Sequence, residues 1–266
     1  VTETGDPRAL TYSDYLAIDE LLSLQRPRST GPEHDELLFI IVHQVYELWF
    51  AQILWELDHA VELLDADEQA RAGHTLGRVL RILKVMVAQM DVLETMTPLE
   101  FDSFRARLDS ASGFQSAQFR ELEIVLGAPR PAALAHFPDG SAARRRLDRR
   151  LGAPSLWVAF CRHLARLGHT LPASVLDRIG EPTEPDAGVQ AALLDVYRTD
   201  PATATLCERF VDLDEGVQEW RYRHVKMVER TIGTKPGTGG SSGAGYLHST
   251  LGQAVFPDLW AIRARF

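Results

Sequence analysis

LLFIIVHQVYELWFAQILWEL, residues 37–57, contains neither glycine nor proline, and neither residue occurs anywhere from Glu33 to Ala72. Leu, Ile, Val, Trp and Phe recur through it at steps of three and four, the repeat of a helix face. The pattern predicts one helix from about Asp35 to Leu64. Phe39, His43, Tyr46 and Phe50 follow at steps of four, three and four. They therefore share a face, and that face sets an imidazole among aromatic rings.

Outward from this stretch the same period continues. A second long helix is expected from about His74 to Thr95. At Thr97–Glu100 the residues TPLE form a capping box: Thr97 can cap, Pro98 suits the first turn and Glu100 can reach back. The short helix begun there carries Phe101, Phe104 and Arg105. Another helix should begin after Gly113, and short ones are expected at Ser141–Leu151 and Ser155–Leu167. Pro129 to Gly140 reads as loop, and GEPTEPDAG, 180–188, as a turn-rich connector. A last long helix is expected from about Thr203 to Ile232. No stretch alternates as a strand would, and no repeat is visible. The fold class is all-α, a single domain built as a bundle of long helices.

Composition bounds the function. Of 266 residues, 45% are hydrophobic and 24% charged, as in ordinary soluble globules. The net charge of −9 argues against a nucleic-acid or anionic-membrane partner. The arginines of 144–146, with Arg149 and Arg150, lie among Leu and Asp and read as a solvated helix face. Cys161 and Cys207 lie 46 positions apart, outside any CxxC pair, which suits buried thiols in a reducing compartment. The longest apolar run, Leu37–Val42, is far shorter than a membrane span. A cytoplasmic location is the expectation.

Several groups carry chemistry. Phe210, Leu213, Val217, Trp220, His224, Met227 and Thr231 form one stripe of the last helix. His224 there is either a hydrogen-bonded core histidine or an axial ligand to haem iron. His43 poses the same choice: with no carboxylate beside it to make a base, its functional use would be to hydrogen-bond a substrate N–H. Arg105 is either a surface cation or a fork for a carboxylate. After the last helix comes GTKPGTGGSSGAGY, 233–246, with six glycines in fourteen residues. It matches neither phosphate-loop fingerprint and leaves a helix rather than a strand. So many glycines are costly to order, which suits a lid over a ligand; a plain linker to the apolar tail is the other reading. No HExxH motif occurs, and no GxSxG elbow appears: GGSSG at 239–243 fits the letters but follows a helix, not the strand an elbow requires.

Taken together, LLFIIVHQVYELWFAQILWEL, SFRARLDSASGFQSAQFRELE, WRYRHVKMVERTIGTKPGTGGSSGAGYL and the opening LTYSDYLAIDELLSLQ resemble, in order and spacing, the signature blocks of the tryptophan 2,3-dioxygenase family. The resemblance is weakest from about Ala128 to Asp200. It implies a haem pocket enclosed by helices, with haem b, ferrous for activity. It implies His224 as the proximal ligand to the haem iron and His43 as the catalytic distal histidine that binds the indole N–H. Arg105 matches the clamp on the substrate carboxylate. Thr238 matches the threonine that contacts the substrate ammonium and a haem propionate. Phe39 matches a wall of the indole pocket, and Phe101 stands where some relatives have Tyr. Ser112 and Gly113 match residues on the oxygen side of the haem.

Tyr12, Tyr15 and Leu16 match residues of an N-terminal arm, about 1–30, that enters the neighbouring subunit, so a homotetramer is implied. The glycine segment matches the lid. The implied reaction opens the indole ring of L-tryptophan with O2 to N-formyl-L-kynurenine, in tryptophan catabolism by the kynurenine route. Two alternatives remain at the level of sequence. One is a related haem monooxygenase that makes an oxindole from tryptophan or a substituted tryptophan. The other is a non-catalytic helical haem-binding protein.

Overall fold

The computed structural model describes residues 10–238 and 243–266. In chain order its α-helices are α1 (Tyr12–Leu16), α2 (Ile18–Leu22), α3 (Asp35–Asp65), α4 (Gln69–Leu93), α5 (Pro98–Arg105), α6 (Ala117–Val125) and α7 (Pro131–Leu134). There follow α8 (Ala142–Leu151), α9 (Leu156–Arg166), α10 (Ala173–Leu176), α11 (Ala187–Thr199), α12 (Pro201–Ile232), α13 (Ala244–His248) and α14 (Pro257–Ala261). The described residues contain no strand, so the all-α expectation holds.

Three long helices form the frame. α3 and α4 are joined by three residues and run antiparallel, as short helix connections require. Arg78 pairs with Glu56, the Tyr46 hydroxyl donates to the Met86 carbonyl, and Gln89 donates to the Val42 carbonyl. α12 lies along α4 in the same direction: Lys84 pairs with Glu219, Arg223 with Asp91, and Arg230 with Glu94. Gly216 of α12 faces α4 across a tight contact. A Cβ there would stand 2.9 Å from Leu80 Cδ1 and 3.3 Å from Leu83 Cδ1. Glycine lets the two backbones approach, which offsets its weak helix preference of about 1 kcal/mol.

The dry end of the bundle is aromatic. Trp157, Phe160, Phe210 and Phe256 are essentially inaccessible, and the Phe160 and Phe210 ring centroids lie 4.5 Å apart. The C-terminal tail is anchored there by Asp214, a fully buried carboxylate. Asp214 Oδ2 accepts from Val255 N, Phe256 N and Trp260 Nε1, each at 2.9 Å, and Oδ1 accepts from Gln218. A buried charge is tolerable only with such a full complement of donors.

Most expected elements are present, with differences. The Thr97–Glu100 capping box forms on both sides, and Ser141 and Ser155 cap α8 and α9. α4 begins at Gln69 rather than His74, because Ala72, Thr75 and Leu76 are buried and carry the helix through Gly73. After Gly113 comes a 3-10 turn, and α6 starts only at Ala117, capped by Ser116. The expected loop 129–140 contains α7. α11 went unforeseen. Its start signal is Asp186, whose side chain accepts from the Gly188 and Val189 amides. α12 begins at Pro201, capped by Asp200, and ends at Ile232 as expected.

α3 is long and apolar enough to cross a membrane, with mean hydropathy 1.6 over its most apolar stretch. The six-residue run considered in the sequence understates it. Val42, Phe50, Ile53, Leu57 and Leu64 on its inner face are buried in the core of the bundle.

Candidate functional site

A cavity of about 270 Å³ opens between α3, α5 and the C-terminal half of α12. Its walls are mostly apolar: Phe39 and Phe50 from α3, Phe101 from α5, Phe119 from α6, and Trp220, Met227 and Val228 from α12. Phe39, Phe101 and Phe104 contact one another, with ring centroids 5.4–5.7 Å apart. Such a slot suits a flat apolar body with a few polar groups to orient it.

Two imidazoles reach this cavity, one from each long wall. His43 rises from α3 with its ring centroid 4.0 Å from that of Phe39. Its Nδ1 lies 2.7 Å from the Phe39 carbonyl oxygen. A carbonyl only accepts, so Nδ1 carries the proton and Nε2 is left as an acceptor. Burial pushes the His43 pKa below its ordinary value of 6.5, against smaller upward effects from the Phe39 carbonyl and Glu47. His43 is therefore neutral at pH 7.

His224 comes from α12, stacked on Trp220 one turn earlier with the ring planes 7° apart. Burial first, and then the repulsion of His43 when that ring is protonated, push its pKa down to about 4. The His224 ring makes no hydrogen bond among the described residues. Both histidines are half-buried, and both line the cavity.

At the mouth stand Arg105 and Thr238. Arg105 ends α5 and donates through Nη2 to the Pro236 carbonyl at 2.6 Å. The Thr238 hydroxyl donates to the Ala111 carbonyl at 2.6 Å. Ser112 and Gly113 line the same space, in the turn before α6. Of the glycine segment, 233–238 and 243–246 lie among the described residues, and 239–242 lie outside them. Gly243 has φ +62°, and a Cβ there would come within 2.7 Å of the Lys235 carbonyl. That position closes the turn and admits only glycine comfortably.

A second polar region faces the cavity and was not legible in the sequence. Arg120 and Arg130 pair with Glu123, and Arg221, which donates to the Gln253 carbonyl, feels the charge of Glu123 and of Asp214. Arg120 Nη1 lies 2.5 Å and Arg130 Nε 3.0 Å from that carboxylate. Arg120 also lies over the Phe114 and Phe119 rings. Arg120 Nε and Trp220 Nε1 are buried without a hydrogen-bond partner. Buried donors are rarely left so. An anion reaching them would satisfy both.

Of the residues singled out in the sequence, Phe39, His43, Phe101, Arg105, Ser112, Gly113, His224 and Thr238 are brought to one cavity. Tyr12, Tyr15 and Leu16 are not among its walls. They stand exposed on α1, at 78%, 73% and 41% accessibility. Residues 1–9 of the arm lie outside the described residues.

The chain is also similar to known proteins. The sequence profile described as tryptophan 2,3-dioxygenase matches residues 2–135 and 180–266. The tryptophan 2,3-dioxygenase of Herpetosiphon aurantiacus is 58% identical over 258 residues, covering 97% of this chain and 98% of that one. That of Anaeromyxobacter sp. (strain K) is 58% identical over 255 residues, covering 96% of each. That of Pseudomonas fluorescens is 42% identical over 260 residues, covering 96% of this chain and 91% of its own. With a profile match on both sides of the cavity and relatives aligned along nearly the whole length, the chain belongs to the tryptophan 2,3-dioxygenase family.

Proposed function

We propose that the cavity oxidises L-tryptophan with O2, opening the pyrrole ring of the indole to N-formyl-L-kynurenine. One observation carries this: a single aromatic-walled cavity gathers an acceptor imidazole, a guanidinium, a hydroxyl and a second, unpartnered imidazole.

The residues fit a haem. A single imidazole without a hydrogen-bond partner points to a metal held mainly by something other than protein, and the described residues offer no cluster of three metal-binding side chains. Guanidiniums in excess of the carboxylates beside them, with orphaned donors on Arg120 and Trp220, suit acidic substituents on an apolar ring. His224 would hold the iron and Arg120 and Trp220 the carboxylates. Bound there in the ferrous state, haem b supplies the binding and activation of O2.

The remaining work falls to the chain. Phe39 and Phe101 confine the indole. Neutral His43 accepts the indole N–H at Nε2 and fixes which ring edge faces the oxygen. Arg105 has N–H groups beyond the one given to Pro236 and would grip the substrate carboxylate in paired bonds. Thr238 offers its oxygen to the ammonium. Ser112 and Gly113 also line the cavity, and such small groups would leave room for O2.

The monooxygenase and carrier readings are not favoured. Relatives named tryptophan 2,3-dioxygenase align along the chain, and a carrier has no use for Arg105 and Thr238 at the same mouth. We further propose one domain, residues 1–266, assembled as a homotetramer in the cytoplasm. Exposed Tyr12 and Tyr15, and a charge-free outer stripe of α3 at Leu37, Ile41, Leu48 and Trp55, support association of copies. The two buried free thiols suit a reducing compartment.

Ferrous protein, L-tryptophan and isotopically labelled O2 test the reaction. The product should carry two labelled oxygens. A product with one labelled oxygen and an intact ring would contradict it.

A further inference from the structure

The chain leaving α12 does not hang free over the cavity. Residues 235–238 lie against α5 and the turn after it through three contacts. Lys235 Nζ is 3.2 Å from Asp102 Oδ1. Arg105 Nη2 donates to the Pro236 carbonyl, and the Thr238 hydroxyl donates to the Ala111 carbonyl. Asp102 and Arg105 are three residues apart on α5 and so share a face. The first turn of that helix is locked by the Thr97–Glu100 capping box. α5 thus offers a fixed dock with an anion and a cation side by side.

Two of the three contacts use groups that face the cavity. Arg105 and Thr238 both line it, and both would have to share or exchange partners when a zwitterionic substrate arrives. The Asp102–Lys235 pair lies outside the cavity, with both side chains more than half exposed. It can persist whatever occupies the site.

We propose that Asp102 is a positioning residue. Through Lys235 it holds residues 235–238 over the mouth and keeps Thr238 in place for the amino-acid end of the substrate while Arg105 changes partners. This rests on the reading of the cavity as a tryptophan site. The pair is a surface ion pair, so its effect is modest: a two- to fivefold change, about what exposed pairs deliver.

The test uses the haem-loaded full chain and Asp102→Asn, Lys235→Gln and the exchanged pair Asp102→Lys with Lys235→Asp. Hydrogen–deuterium exchange of the Lys235, Gly237 and Thr238 amides without tryptophan should speed up about two- to fivefold in each single variant. The KM for tryptophan should rise by a similar factor while kcat moves less, with the Soret band unchanged. The exchanged pair should restore both. Unchanged exchange and KM in Asp102→Asn, or no recovery in the exchanged pair, would overturn the proposal. A wild-type protein that neither binds nor oxidises tryptophan would instead defeat the functional reading, while the exchange comparison still decides whether the pair holds the segment.

Discussion

From Thr203 to Val217 the inner face of α12 meets α9, α11 and the tail; from Trp220 to Thr231 it meets a cavity. The sequence stripe is continuous through both halves. In the first, Leu206, Cys207, Phe210 and Leu213 are 0–3% accessible. In the second, Trp220 and Met227 keep 8% and 9%, and His224, Val228 and Thr231 are only partly covered. The same apolar period therefore builds a packed core at one end and a cavity wall at the other. What differs is the facing element. Trp157, Phe160 and Phe256 fill the space against the first half; against the second, Phe50 and Phe119 pack on Trp220, and beyond them His224, Met227 and Thr231 line the cavity.

The largest expected effect separates the two halves by stability. Phe210→Ala should cost about 3–5 kcal/mol, because its tightly packed neighbours cannot collapse into the gap. Met227→Ala should cost about 2 kcal/mol or less, since it lines the cavity and is packed on fewer sides. Urea unfolding of haem-free protein measures both. Equal losses would erase the distinction between the halves.

Arg105→Ala addresses the open end by function rather than stability. It should keep the haem spectrum and lose at least ~2 kcal/mol of tryptophan binding, because a carboxylate would be left buried without its partner. Binding equal to wild type would remove Arg105 from the site.

The smallest effect is a pH limb. His43 has a lowered pKa, so it is neutral above the ordinary imidazole value of 6.5 and takes a proton only as pH falls below it. Protonation destroys the Nε2 acceptor. Activity should stay level from about pH 8 to about pH 6.5 and fall only below that. A falling limb that begins above pH 7 would show a different group in control.

Much of this was legible in the residues. The steps of three and four around His43 and His224 gave the long helices, and TPLE gave the start of α5 together with the place of Arg105. The short helices expected at Ser141–Leu151 and Ser155–Leu167 were equally plain, and α8 and α9 are found there. Resemblance to a family, more than periodicity, separated His224 from an ordinary core histidine. Periodicity cannot do so, because the stripe looks the same on either half of α12. The cluster of Arg120, Glu123, Arg130 and Arg221 was hidden for another reason. Its members come from α6, the following turn and α12, so only the folded chain brings their charges together. α11 was missed because a polar, proline-rich connector masked Asp186 as a cap.

The central claim is that the open half of α12 exists to hold an iron porphyrin through His224. The direct measurement is the absorption spectrum of protein purified with porphyrin supplied, beside His224→Ala prepared identically. The wild type should show a Soret band, and the variant should lose it while keeping its helical circular dichroism. A colourless wild type, or a variant that retains the band in full, would contradict the account.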